Sequence, residues 1–445
     1  MRPVRTLLPA LVLLCGLVVP ASAHAPDPQV NRSQLGAPDF DLPAVQLRIG
    51  LGRVLGEHAM LLIETMRAGL ADDDQFAAAA ATLEENTSDL LTMVEAAYGE
   101  GAVDAFGEQW RNHIAYLVDY TRAVADGDED ARQLATDQLD AYIADFSSLL
   151  AAANPSLEEN VIEELIAEHG QQLSQIGHFD TGEHEAAYRG IRETYAHMYM
   201  VGDALTLGIL DRARDEFPGR PVAFSRALDM RVTLDRLLGE HTMLAAFVMR
   251  SRLSNAPDVQ AAADALEANS AELASQIEAI YGEDAGNAFG TLWRSHTGHY
   301  IDFVDSVATD DAAARETAVT GLRDYQTAFS EFLAGANPFL SARTLEGMLE
   351  THTTHLVDLV DQFDDGSVED AYATLRMAYA HTEELAAGLA GAIADQFPER
   401  FSDTAVVSQP AEPTGITVGV LLVVAAALLL TRRAVTHRRR STFRT

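Results

Sequence analysis

The sequence predicts an all-α protein: two tandem six-helix up-down bundle units plus a C-terminal transmembrane helix. Three observations predict it. Apolar residues recur at three- and four-residue steps along most of the 445 residues, and the two-residue alternation of a half-buried strand is absent. The chain also repeats itself. "LGEHAML" at Leu55 returns as "LGEHTML" at Leu238, "LEEN" at Leu83 as "LEAN" at Leu266, "YGEGAVDAF" as "YGEDAGNAF", and "AANPSL" as "GANPFL". Nearly all these pairs lie 183 residues apart, and a fixed period marks a repeated structural unit. Finally, an uncharged apolar run of 16 residues, Gly415 to Leu430, precedes a cluster of arginines.

Residues 1–23 read "MRPVRTLLPALVLLCGLVVPASA". Two arginines before an apolar run and a small-residue site at Ala21-Ser22-Ala23 predict a secretory signal peptide. Residues 24–41, with three prolines, predict a flexible lead-in. The first unit spans 42–217, with helices expected at 43–70, 73–98, 102–126, 129–152, 157–178 and 184–215. The breaks carry turn chemistry: "GLADDD", "YGEG", "ADGDED", "AANPS" and "GHFDTG". Ser156 with Glu159 predicts a capping box, the hydroxyl and the carboxylate each accepting from a free amide. Helices of about 25 residues joined by short turns pack as antiparallel neighbours. After "FPGRPVAFSR" the second unit repeats the plan over 225–397, its period slipping to 184 near the end, where His197 matches His381.

Residues 398–414 form a linker, 415–431 the expected span and 432–445 a basic tail. The apolar run is slightly short for a span of about 20 residues, and the arginines fit a cytoplasmic stop. The expected location is the cell surface, with the N-terminal domain outside and the membrane as a partner. "AEPTG" loosely resembles a cell-wall sorting signal, but Ala411 and Glu412 stand where Leu-Pro is required.

The net charge is −36, there is no lysine, and eight of the 31 basic residues lie in the two end segments. The body of the chain is therefore more acidic still, and nucleic acid would be repelled. Cys15, the only cysteine, leaves with the signal peptide. That excludes disulfides, thiolate metal sites, iron–sulfur clusters and covalent haem.

Polar residues interrupt the apolar seams at mid-helix. Val103, Phe106, Trp110, His113, Leu117, Tyr120 and Val124 make one 3-4 stripe, so His113 faces inward. His58 takes the same place on the first helix, His169 on the fifth and His197 on the sixth. Asn86 lies on the second seam and Tyr142 on the fourth. The second unit repeats the set as His241, His296, His352, His381, Asn269 and Tyr325. Helical rise is fixed at about 1.5 Å per residue, so mid-helix residues of adjacent rods share one level. A lone buried histidine is ordinarily a core residue bonded to a carbonyl or a tyrosine. Four at one level, kept in both copies, would each need an acceptor, at about 1–3 kcal/mol for each group left unmatched. A shared metal ion resolves this. The eight histidines are the expected ligands, with Asn86, Tyr142, Asn269 and Tyr325 as supports. His178, His184, His299 and His355 have no histidine at the matching place in the other copy and read as rim residues.

Imidazole sets suit copper, zinc or iron, and a b-type haem between two histidines needs no covalent link. Four imidazoles closing on one ion would store, sense or transfer it, since catalysis needs an open position. The phrases "LGEHAML", "W…H…Y…DY", "ANP", a fifth-helix histidine and "YAHM" resemble a repeated helical domain of exported bacterial proteins labelled copper amine oxidase-like. The resemblance spans both units. It implies copper, and not the oxidase. A true copper amine oxidase makes its quinone from an Asn-Tyr-Asp/Glu sequence, and this chain has no Asn-Tyr pair. No nucleophile–base pair, phosphate loop or dinucleotide fingerprint is visible either. The expected role is metal handling, sequestration or sensing. A metal-free structural or partner-binding surface module and a b-haem or copper oxidoreductase are the alternatives.

Overall fold

In the computed structural model, residues 39–401 are described, apart from 72–74, 214–216 and 218–221. The first unit contributes α1 (Pro43–Leu70), α2 (Phe76–Tyr98), α3 (Glu100–Asp126), α4 (Glu129–Ala153), α5 (Glu159–Leu173) and α6 (His184–Arg212). The second contributes α7 (Arg226–Leu253), α8 (Val259–Tyr281), α9 (Glu283–Ala308), α10 (Ala312–Ala336), α11 (Ala342–Asp365) and α12 (Val368–Gln396). Among the described residues there is no strand. The helix ends follow local chemistry. Asp128, Ser225, Asp311 and Ser341 accept first-turn amides of α4, α7, α10 and α11, and Gly127 and Gly366 close α3 and α11 in the left-handed conformation.

One part of the expected fold class is corrected. Among the described residues no helix is long and apolar enough to cross a membrane, so the all-α description stands without a spanning helix. The run expected to span, 415–431, lies outside the described residues, as do the signal segment and most of the lead-in.

The expected capping box is corrected too. The N-cap of α5 is Glu158 and makes no side-chain bond, while Ser156 donates its amide to Asn154 Oδ1 in a turn. The fifth helix stops at Leu173, continues as a 3₁₀ turn over Ser174–Gly177 and then a single helical turn over His178–Thr181. Its counterpart α11 runs unbroken for 24 residues. Gly170, Ser174 and Gly177 stand where the second unit has Thr353, Val357 and Val360. A glycine inside a helix costs about 1 kcal/mol, and Val360 is fully buried where the first unit has no side chain to bury.

Consecutive helices of each unit pack as neighbours, and α6 and α12 close back onto α1 and α7. The two units share one body. α1 and α7 each bury 20 of 28 residues, far more than one stripe, because they also pack against each other. Two further cross-contacts are reciprocal, α6 on α8 and α12 on α2, which gives the body an approximate two-fold axis.

Near that axis the hydroxyls of Tyr195 and Tyr379 meet at 2.9 Å. Gly56 and Gly239 make room for them, since a Cβ at either would collide with these tyrosines. On each side a buried carboxylate is gripped by the other unit. Arg376 on α12 donates to Glu57 through Nε and Nη2, at 2.9 and 3.1 Å. Arg192 on α6 likewise donates to Glu240, with Nε at 2.9 Å. The outer ends of the two arginines reach Asp89 and Glu272, again matching positions.

Candidate metal centre

The seam positions bring histidines from three helices together in each unit. In the first, Nε2 of His58 (α1) and Nε2 of His113 (α3) face each other at 3.4 Å, with ring centroids 5.4 Å apart. In the second, His241 and His296 repeat this at 3.3 and 5.2 Å. The third imidazole, His169 on α5 or His352 on α11, stands 6.4 or 6.3 Å from the first by ring centroids. Trp110 closes one side, with ring centroids 4.6 and 4.7 Å from His58 and His113, and Trp293 does the same at 4.8 and 4.6 Å. Tyr142 stacks on His113 at 5.1 Å and Tyr325 on His296 at 4.8 Å.

The fourth histidine of each set is placed differently. Nε2 of His197 lies 2.8 Å from the Leu165 carbonyl, and Nε2 of His381 lies 2.8 Å from the Met348 carbonyl. That bond makes Nε2 the N–H donor and leaves Nδ1 as the nitrogen free of the carbonyl. His197 still stacks beside His169, at 6.3 Å. Asn86 and Asn269 make their hydrogen bonds away from the imidazoles. Each donates to a central carboxylate at 2.8 Å, Asn86 to Glu57 and Asn269 to Glu240, and also to the carbonyl of Val54 or Leu237. Glu57 precedes His58 in the chain, so the asparagines hold the unit interface directly and the site only through α1 and α7.

Burial keeps the inner imidazoles neutral. It pushes His113 down to about 3, His296 to about 4 and His352 to about 3, and it holds His58, His169 and His241 well below the ordinary range. For His113 and His296 the carbonyls of Trp110 and Trp293, one turn back, oppose the shift without closing a hydrogen bond to Nδ1. Many polar atoms here lack partners: Nδ1 of His58, His113, His241, His296 and His352, both nitrogens of His169, Nε1 of both tryptophans, and the hydroxyls of Tyr300 and Tyr325. In the second unit they surround a cavity of about 30 Å³ lined by His241, His296, His352, Trp293, Tyr300 and Tyr325. A space of that size takes one small occupant.

The donor geometry can be tested against a metal. Two nitrogens bound tetrahedrally at about 2.0–2.1 Å lie about 3.3 Å apart, with ring centroids about 5.2 Å apart. Both inner pairs match these values, and 3.3–3.4 Å is long for a hydrogen bond. The third imidazole is about 1 Å too far by the same measure. Accordingly, among the described residues no group of three or more His, Cys, Asp or Glu side chains is placed to hold a metal ion. The chain therefore offers a preformed pair and a nearby third donor.

Sequence reasoning missed the interface residues Glu57, Arg192, Tyr195 and their partners. The signal was present: "LGEH" repeats its Gly and Glu as faithfully as its His, and Arg192 and Tyr195 recur as Arg376 and Tyr379. Comparison with family models, with curated proteins and with solved structures finds no match.

Proposed function

We propose that each unit binds a transition-metal ion, copper foremost, between the paired imidazoles His58 and His113 or His241 and His296, with His169 or His352 as the third donor. The observation that carries this reading is the Nε2–Nε2 spacing, 3.4 and 3.3 Å, recurring in two copies. Neutral imidazoles are the ligating form and need lose no proton. The copper amine oxidase-like resemblance points to the same element. Aromatic walls and full burial leave no room for a substrate, and a cavity of about 30 Å³ suits an ion rather than a porphyrin. Storage, sensing or transfer of the ion outside the cytoplasm is therefore the function, without turnover. Zinc is the next choice for an all-nitrogen tetrahedral set.

A metal-free structural module is the second reading, favoured by the carbonyl bonds of His197 and His381. Elemental analysis of the purified full chain decides between the two. The metal reading expects stoichiometric metal that falls by one ion with His113→Gln and by another with His296→Gln. The structural reading expects the same metal content in all three proteins.

A further inference from the structure

The two units differ at the mouth of the site. In the second unit His355 lies one turn after His352 on α11, and its ring stacks on that of His381 at a centroid distance of 5.9 Å. Glu384, one turn after His381 on α12, places Oε2 3.6 Å from His381 Nδ1. Nε2 of His381 donates to the Met348 carbonyl, so Nδ1 is the nitrogen turned toward Glu384. At 3.6 Å the nitrogen and the carboxylate oxygen are too far apart for an N–H···O hydrogen bond and leave room for a cation between them. A nitrogen and an oxygen bound tetrahedrally to one transition-metal ion lie about 3.4 Å apart, close to what is seen. Glu384 is well exposed, at 69%, and His355 is half-buried, so the group opens to solvent and its third donor can turn.

The first unit lacks this set. Gln172 stands in place of His355, and Met200 in place of Glu384. A carboxylate does approach His197 Nδ1 there, Glu168 at 3.9 Å, but Gln172 holds its other oxygen and no second imidazole is present.

We propose that His355, His381 through Nδ1, and Glu384 form a second, solvent-facing cation site in the second unit only, for a divalent transition metal such as zinc or copper(II). Two imidazoles and a carboxylate are the donor set such ions accept. His352 lies one turn before His355 and lines the inner cavity, whereas none of the three outer residues does, so the two sites are separate. The outer site does not depend on the inner pair binding metal.

The test is a Zn²⁺ titration of the full chain at neutral pH, with stoichiometry from equilibrium dialysis and elemental analysis. The variant H355Q/E384M gives the second unit the residues of the first. It is expected to bind one zinc ion fewer than the unchanged chain, with the same circular dichroism spectrum. The variant H241Q/H296Q removes the inner pair and is expected to keep that ion. If the inner pairs bind no zinc, the count falls from one to none, and the outer site stands while the inner reading fails for zinc. Equal stoichiometry and affinity in the unchanged chain and H355Q/E384M would overturn the proposal.

Discussion

The two units of this protein are 183 residues apart in sequence and superimpose in chemistry at the centre, yet they part at the edge. Both keep the paired imidazoles, the tryptophan wall, the stacked tyrosine and the arginine-gripped carboxylate. They differ in the fifth helix, which breaks in one copy and runs on in the other, and in the two rim positions beside the fourth histidine. The difference separates constraints. Residues that face both the site and the axis are held by two sets of contacts, whereas rim residues meet solvent and are free to acquire separate roles.

The strongest way to break the comparison is at the axis. Arg376→Ala leaves Glu57 buried without its cation and is expected to cost about 3–5 kcal/mol. Arg192→Ala should cost the same within about 1 kcal/mol if the two grips are equivalent, as read from urea unfolding midpoints and slopes. A large inequality would show that one unit carries the interface alone.

Acid sharpens the comparison of the two sites. In metal-free protein His113, His296 and His352 have lowered folded-state values, so the unfolded chain binds more protons below its ordinary pKa of about 6.5. Their contribution is complete above that pH and is lost as pH falls toward about 3 to 4. At pH 5 each is expected to lower stability by about 2 kcal/mol relative to pH 7.5. His113→Gln and His296→Gln should each remove one such increment from the pH dependence of urea unfolding, measured with chelator present.

Smaller effects follow at the supports. Asn86→Ala removes a buried donor to Glu57 and should cost about 1–3 kcal/mol, matched by Asn269→Ala. Tyr195→Phe deletes one hydroxyl of the axial pair and should cost about 1 kcal/mol, as should Tyr379→Phe. Thermal denaturation of the four variants side by side would expose any departure from two-fold equivalence.

The helical plan was legible because the 3-4 spacing and the repeat are local signals. The inward direction of His58, His113 and His169 was legible for the same reason: each sits in an otherwise apolar seam. What escaped was the second buried face of α1 and α7. A helix that is buried all round has no single stripe to read, so Glu57 was not singled out and Asn86 read as a support of the histidines. His197 escaped for another reason. Its stripe is shared by the site and the axis, and only the position of the Leu165 carbonyl decides where its Nε2 goes. The break after Leu173 came from Gly170, Ser174 and Gly177, whose modest penalties tip a helix only where no buried apolar side chain offsets them.

X-ray absorption at the copper edge of the loaded full chain tests the central claim most directly. The account predicts a shell of imidazole nitrogens near 2.0 Å and about two copper ions more than H58Q/H113Q/H241Q/H296Q retains, any remaining ion being that of the outer site. An oxygen-only shell, or the same spectrum and copper content with all four histidines replaced, would contradict it.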